Sequence, residues 1–206
     1  MDKTAISALQ ENIKKRMSEK RYIHTVAVKE MAVKIGSYCL PECVFDLSCA
    51  ALLHDVAKEV KDSDLVDMIK RSFSDYEKII QYGKEVWHSF AAPYVIKRDF
   101  TLFAAPYILS AVQAHTVGAE DMSVFDEIIF ISDYIEMGRT YPSCIAVREY
   151  LLKSLGAGDL EKNIAALHKS CILAIEYTAE NLAQRGKKIC PVSLLAKNAL
   201  EAKIKY

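Results

Sequence analysis

The sequence predicts an all-α fold, and three observations carry that prediction. Apolar residues recur at spacings of three and four along most of the chain, which is the period of one helix face. Gly, Pro and Asp/Ser clusters punctuate these stretches where helices would start and stop. No segment combines period-two alternation with a hairpin turn signal, as paired strands would. The chain also lacks internal repeats, low-complexity tracts and composition shifts that would mark a linker, so its 206 residues are expected to form a single domain with a sizeable core.

Taken in order, Thr4 to Glu19 is expected to be an amphipathic helix, with Ile6, Leu9, Ile13 and Met17 on one face. A second helix begins near Arg21 and runs through His24, Val28, Met31 and Ile35 to a stop between Gly36 and Pro41. The third covers about Cys43 to Ala57 and carries His54 and Asp55 near its C-terminal end. Asp62-Ser63-Asp64 forms an N-cap cluster for a short helix through Met68 and Ile69. Ser72 to Lys84 is less periodic and reads as a loop leading to the helix that bears His88. Helices over Ser89 to Asp99, Tyr107 to His115 and Ser123 to Tyr134 follow. After Gly138-Arg139-Thr140-Tyr141-Pro142 come Ile145 to Ser154 and a long helix from about Asp159 to Arg185, which Gly186 stops. Pro191 suits the first turn of a last helix ending near Ala202.

Lysine plus arginine and aspartate plus glutamate both number 27, for a formal net charge of zero. This removes any global electrostatic case for nucleic acid or an anionic membrane, while a local phosphate site stays open. No apolar stretch approaches the ~18 uninterrupted residues of a membrane helix. Cys39, Cys43, Cys49, Cys144, Cys171 and Cys190 form no C-x-x-C pair, and several lie in apolar stretches as small hydrophobes. With no secretory signal at the N-terminus, they are expected to be reduced thiols of a cytoplasmic protein. Cys39 and Cys43 could act as a spaced thiolate pair, but no second pair completes a zinc site.

His54-Asp55 closes the apolar run Ala50-Ala51-Leu52-Leu53. Two adjacent ionisable groups in such a setting need compensation, because an unpaired buried charge costs several kcal/mol. A transition metal is the simplest compensation, since imidazole and carboxylate together suit such ions. On a helix, consecutive side chains diverge by about 100°. The pair can therefore flank a site wider than one atom, such as a two-metal centre with a bridging carboxylate. His24 and His115 lie on apolar-periodic helices, and Asp133 follows the apolar run Ile128-Ile129-Phe130-Ile131-Ser132. Each residue also has an ordinary reading. A lone histidine on such a helix is usually a hydrogen-bonded core residue, Asp133 a cap or ion-pair partner, and His88 a polar residue at a helix start. For Lys58 and Arg139 the ordinary reading is an exposed helix-end ion pair, and for His168 a surface or boundary histidine.

Their joint order, H … HD … H … H … D, resembles the HD superfamily of metal-dependent phosphohydrolases. Five blocks narrow the resemblance: Arg21-Tyr22-Ile23-His24-Thr25, Leu52-Leu53-His54-Asp55-Val56-Ala57-Lys58, Trp87-His88-Ser89, Ala114-His115-Thr116 and Asp133-Tyr134-Ile135-Glu136-Met137-Gly138-Arg139. In order, they look like the YqeK-type symmetrical dinucleoside tetraphosphate hydrolases, and Thr178-Ala179-Glu180-Asn181-Leu182 resembles that family's C-terminal helices. The resemblance implies an HD-domain helical bundle spanning 1–206, with a metal-binding core over about 21–140 and C-terminal helices over about 145–202.

It further implies that His24, His54, Asp55 and Asp133 hold one metal, and that Asp55 bridges to a second completed by His88 and His115. Lys58 and Arg139 match phosphate-contact positions, Thr116 joins the substrate contacts, and Arg21 and Glu136 orient ligands or substrate. Dinuclear iron is the implied cofactor, with manganese or another divalent ion as the alternative. The implied reaction is attack of metal-activated hydroxide on an inner phosphorus of diadenosine tetraphosphate, releasing two ADP. One departure stands out. Family members carry a basic residue soon after the H-T-x-G turn, whereas here Val117-Gly118 leads into Ala119-Glu120-Asp121. The alternatives are an HD phosphohydrolase of another nucleotide, a nucleotide-binding module without turnover, or a helical scaffold. The apolar C-terminal helix would serve either the core or a homodimer contact.

Overall fold

Two helices that are buried on nearly every side organise the molecule. Every residue from Leu47 to Leu53 is buried in α3 (Val44–Leu53), and so is every residue from Phe125 to Ser132 in α8 (Val124–Ile135). A helix that is apolar all round must be wrapped by others. Those others are α1 (Lys3–Lys14), α2 (Glu19–Cys39), α4 (Asp62–Ser72), α5 (Tyr76–Gln81), α6 (Lys84–Asp99), α7 (Pro106–Ala114), α9 (Pro142–Ser154), α10 (Leu160–Gln184) and α11 (Pro191–Ile204). The computed structural model describes residues 3–204, and no strand occurs among them. No helix among the described residues is long and apolar enough to cross a membrane.

α2 lies along α3 and α8, α7 packs between α3, α6 and α8, and α10 closes the far side against α8, α9 and α11. One contiguous apolar cluster runs from Leu9 in α1 to Leu200 in α11. Because α3 and α8 sit at its centre, the polar residues at their C-terminal ends, His54, Asp55 and Asp133, emerge at one place inside the helical wrap.

Several boundaries differ from the sequence expectation, each for a local reason. The first helix ends at Lys14 because Ser18 leaves helical geometry to cap α2, its hydroxyl accepting from the Arg21 amide. Ser18 also donates through its amide and hydroxyl to the Glu59 carboxylate at 2.7 and 2.5 Å. Gly36 does not stop the second helix. It sits inside α2, where a Cβ would run into Leu47 Cδ1, so its bare backbone admits α3. α3 itself ends at Leu53, and the chain then tightens into successive three-residue turns, from Val56 to Leu53, Lys58 to Asp55 and Val60 to Ala57. Within Ser72–Lys84, expected as loop, the six-residue α5 forms and buries Ile79. α6 starts at Lys84, so His88 lies a turn inside it rather than at its start.

His168 is not a surface or boundary histidine. It is buried on α10, with Nδ1 2.6 Å from Glu127 Oε2, and the other oxygen of the fully buried Glu127 takes Lys203 Nζ at 2.9 Å. The acidic partner comes from α8, 41 residues away in sequence, which is why no neighbouring residue announced it.

Candidate metal centre and adjoining cleft

Asp55 stands in the middle of the site with each carboxylate oxygen turned to a different set of nitrogens. Oδ2 lies 3.4 Å from His54 Nε2, 3.8 Å from His24 Nε2 and 2.5 Å from Arg21 Nη1. Oδ1 lies 3.3 Å from His88 Nε2 and 3.6 Å from His115 Nε2. Asp133 Oδ1 approaches His24 Nε2 at 3.1 Å. All six residues expected to bind metal therefore converge. Two overlapping groups, His24 with His54 and Asp133, and His54 with Asp55 and His115, place their donor atoms within 4.8 Å of one another. His88 stands beside the second, its Nε2 3.2 Å from His115 Nε2.

The histidine tautomers follow from the partners behind the rings. His54 Nδ1 is 2.7 Å from Ala51 O and His115 Nδ1 is 2.6 Å from Val112 O. A carbonyl only accepts, so each Nδ1 carries the proton and each Nε2 presents a lone pair to Asp55. His24 repeats the arrangement with Glu136 Oε1, 3.2 Å from its Nδ1. Partners of this kind fix ring orientation and raise ligand basicity in metal sites.

The Nε2 atoms of His24 and His54 are buried without a hydrogen-bond partner. An unpaired buried polar atom costs about 1–3 kcal/mol. Here two such lone pairs also face carboxylate oxygens, so a cation among them satisfies both, and the donor set fits a transition metal.

Electrostatics point the same way. Burial pushes the Asp55 carboxyl up, but the neighbouring His54 and His115 outweigh it and hold the group well below the carboxylate range. Burial likewise opposes ionisation of Asp133, and His24, His54 and Arg139 overcome it. His54 is drawn upward by Asp55 and Asp133 against its own burial. His88 is held well below the usual histidine value by burial and by its neighbours His115 and Lys58, which keeps it neutral and able to donate a lone pair. Metal binding requires ionised carboxylates and neutral imidazoles, so Asp55, Asp133 and His88 already stand in the required state, while the upward pull of the carboxylates on His54 is one a bound cation would take over.

The remaining candidates surround the donors. Lys58 Nζ sits 3.1 Å from His88 Nε2, and burial lowers its pKa. Arg139 donates to Asp133 through Nη2 to Oδ1 at 2.7 Å and through Nε to the main-chain oxygen at 3.1 Å. Thr116 Oγ1 lies 2.9 Å from His115 Nε2 and 3.2 Å from His88 Nε2, closer to the histidines than a peripheral contact would be.

A cleft of about 680 Å³ opens from the metal end, where His115, Thr116, Asp133 and Arg139 line it. Its far walls are Tyr134, Tyr141, Tyr177, Thr178, Asn181, Gln184 and Arg185. Sequence reasoning did not assign these α10 residues to the site. Their signal was a face, Thr178, Asn181 and Arg185 at i, i+3 and i+7, which reads equally as the solvated side of a long helix. Glu120 and Asp121, the acids of the departing segment, are exposed and do not line the cleft.

The family model for the HD domain matches residues 21–138. A symmetrical bis(5'-nucleosyl)-tetraphosphatase of Halalkalibacterium halodurans is 31% identical over 66% of this chain and 71% of its own. The enzyme of the same description from Bacillus subtilis is 27% identical over 91% of this chain and 93% of its own. The one from Staphylococcus aureus is 28% identical over 78% and 79%. The crystal structure of a predicted HD superfamily hydrolase from Clostridium acetobutylicum superposes with a TM-score of 0.77 at 21% identity, covering 96% of this chain and 97% of that one, which establishes the helical fold. With the histidines and aspartates of all five sequence blocks gathered about Asp55, the chain belongs to the HD domain family, in the branch of the symmetrical bis(5'-nucleosyl)-tetraphosphatases.

Proposed function

We propose that this chain is a metal-dependent hydrolase that cuts diadenosine tetraphosphate and related dinucleoside polyphosphates symmetrically into two nucleoside diphosphates. The observation that carries the reading is the divided carboxylate of Asp55, beside a cleft of about 680 Å³ that is lined by Arg139 and Arg185. The names of the three relatives supply the substrate class.

His24, His54, Asp55 and Asp133 would hold one ion, and Asp55 with His88 and His115 a second, with iron preferred and manganese or another divalent ion the alternative. When bound, such ions lower the pKa of water from about 15.7 toward ~7 and polarise phosphoryl oxygens. The chain's own groups do the rest. Lys58 and Arg139 are placed to balance charge growing on the phosphoryl oxygens in the transition state. Arg21 holds the Asp55 carboxylate in orientation, and Glu136 holds the His24 ring. Tyr134, Tyr141 and Tyr177 offer aromatic faces to a base, and Asn181 and Gln184 offer amides to its edge. The free thiols of all six cysteines suit a cytoplasmic setting.

Product analysis with diadenosine tetraphosphate, run anaerobically with ferrous iron and again with manganese, tests the proposal. ADP as the sole product is expected. Release of ATP with AMP, of inorganic phosphate, or full turnover by His54→Ala or Asp55→Ala protein would refute it. Tight nucleotide binding with no product would leave a binding module instead.

A further inference from the structure

One arginine outside both the donor set and the cleft lining grips the turn on which two site residues, Glu136 and Arg139, are mounted. Arg148, half-buried on α9, donates from Nη1 to the carbonyls of Ile135 at 3.0 Å and Glu136 at 2.6 Å. Its Nη2 donates to the carbonyl of Arg139 at 3.1 Å. These are the C-terminal carbonyls of α8 and the turn beyond it, groups that a helix end leaves without intrahelical partners. The backbone turns sharply there. Glu136 takes an extended conformation directly after the last helical residue, and the Arg139 amide closes the turn on Glu136 O at 2.9 Å. The Gly138 amide donates to the Glu136 carboxylate inside the same turn.

The side chains displayed by this segment face the site from both ends. Glu136 Oε1 orients His24, and Arg139 pairs with Asp133 while lining the cleft. A guanidinium placed at a helix C-terminus also has a favourable interaction with the helix dipole. Only arginine has a planar fork that can serve three carbonyls at once; lysine keeps the charge but not the fork.

We propose that Arg148 is a positioning residue for catalysis, fixing the Glu136–Arg139 turn so that Arg139 meets a substrate phosphate and Glu136 holds His24. The phosphate role of Arg139 is taken from the proposed function, so the test must separate the two. A double-mutant cycle on metal-loaded full-length protein does so, with Arg148→Lys, Arg139→Ala and their combination, each read by kcat, KM and by calorimetric affinity for ADP. Arg148→Lys is expected to lower kcat/KM on diadenosine tetraphosphate and ADP affinity by roughly 10–100-fold, the scale of losing a supporting contact. The combined variant should be no more than about twofold worse than Arg139→Ala, because residues acting as a unit are not additive. Arg148→Ala serves as the second variant; its reduced ADP affinity should exceed that of Arg148→Lys. Fully additive losses, or Arg148→Lys protein matching wild type in both kcat/KM and ADP affinity, would overturn the proposal. A wild-type protein that couples Arg148 to Arg139 in ADP binding yet does not cleave the tetraphosphate would instead sink the proposed function and leave the positioning role standing.

Discussion

Asp55 Oδ1 and His88 Nε2 stand 3.3 Å apart, while the other oxygen of the same carboxylate faces His54 at 3.4 Å. The two sides of one aspartate thus face different histidines, and on the proposed two-ion arrangement the two residues should fail differently when removed. His88→Ala is expected to keep about one of two transition-metal ions and Asp55→Ala to keep almost none, since a bridging ligand serves both. Elemental analysis of anaerobically loaded protein measures this. Equal metal content in the two variants would argue against the bridge. Activity should fall at least ~100-fold in each, because a metal supplies several kcal/mol of transition-state stabilisation.

Glu136 is buried and meets His24 Nδ1 at 3.2 Å, away from the lone pair the ring offers to a metal. Its replacement by alanine should weaken metal affinity by roughly 10–100-fold without emptying the site at saturating metal. Competition against a chelator of known affinity reads this directly, and an unchanged affinity would show that the ring needs no such support.

Far from the site, Glu127 has no solvent exposure, and its two carboxylate oxygens meet His168 and Lys203. Removing one partner of a buried pair leaves an uncompensated charge, at a cost of about 3–5 kcal/mol. His168→Ala should therefore lower the stability seen in urea unfolding by that order. Lys203→Ala should cost less, since its ammonium side chain is 35% exposed and water can replace part of what it gave.

Asp99, the last residue of α6, ties that helix to the turn after α1 through Arg16 Nη1 at 2.6 Å and also pairs with Arg98. Those two guanidinium groups hold its carboxyl below the usual aspartate value, the Arg98 hydrogen bonds contributing most. A folded-state pKa below the unfolded one adds stability above the unfolded value of about 3.9 and loses it as pH falls toward the folded one. Thermal unfolding of Asp99→Asn protein should show a lower Tm than wild type at pH 7. The gap should narrow steadily below about pH 4. A gap that widens in acid would contradict the assignment.

Burial pushes the Cys49 thiol up to about 12 and Cys39 to about 11. Both should resist alkylation in the native protein, and only Cys43 and Cys190, the half-buried pair, should react before unfolding. Mass spectrometry after brief iodoacetamide treatment would detect label on Cys49 if this is wrong.

The site was legible in the sequence wherever a charge interrupted an apolar run. His54, Asp55 and Asp133 each follow strongly hydrophobic segments, and those segments became the buried helices that carry them inward. What was not legible depended on partners distant in the chain. Nothing beside His168 hints at Glu127, and nothing beside Arg148 shows that its fork reaches back to Ile135. Boundaries failed where a single side chain overruled periodicity, as Ser18 did in capping α2 within a stretch that reads as continuous helix. The six residues of α5 were too few to show a period. Tyr177, Asn181 and Arg185 were hidden differently, because a polar helix face looks the same whether it meets water or lines a cleft.

The segment matched by the HD family ends at residue 138, while much of the cleft wall comes from Tyr141 to Arg185. The histidines and aspartates gathered about Asp55 therefore lie inside the matched segment, and most of the cleft wall lies outside it. A substitution in α9 or α10 can thus reshape the cleft without touching the cluster about Asp55. Arg148 is the exception: it lies on α9, outside the matched segment, yet fastens the turn that ends α8, so a change at that one position reaches back to Glu136 and Arg139.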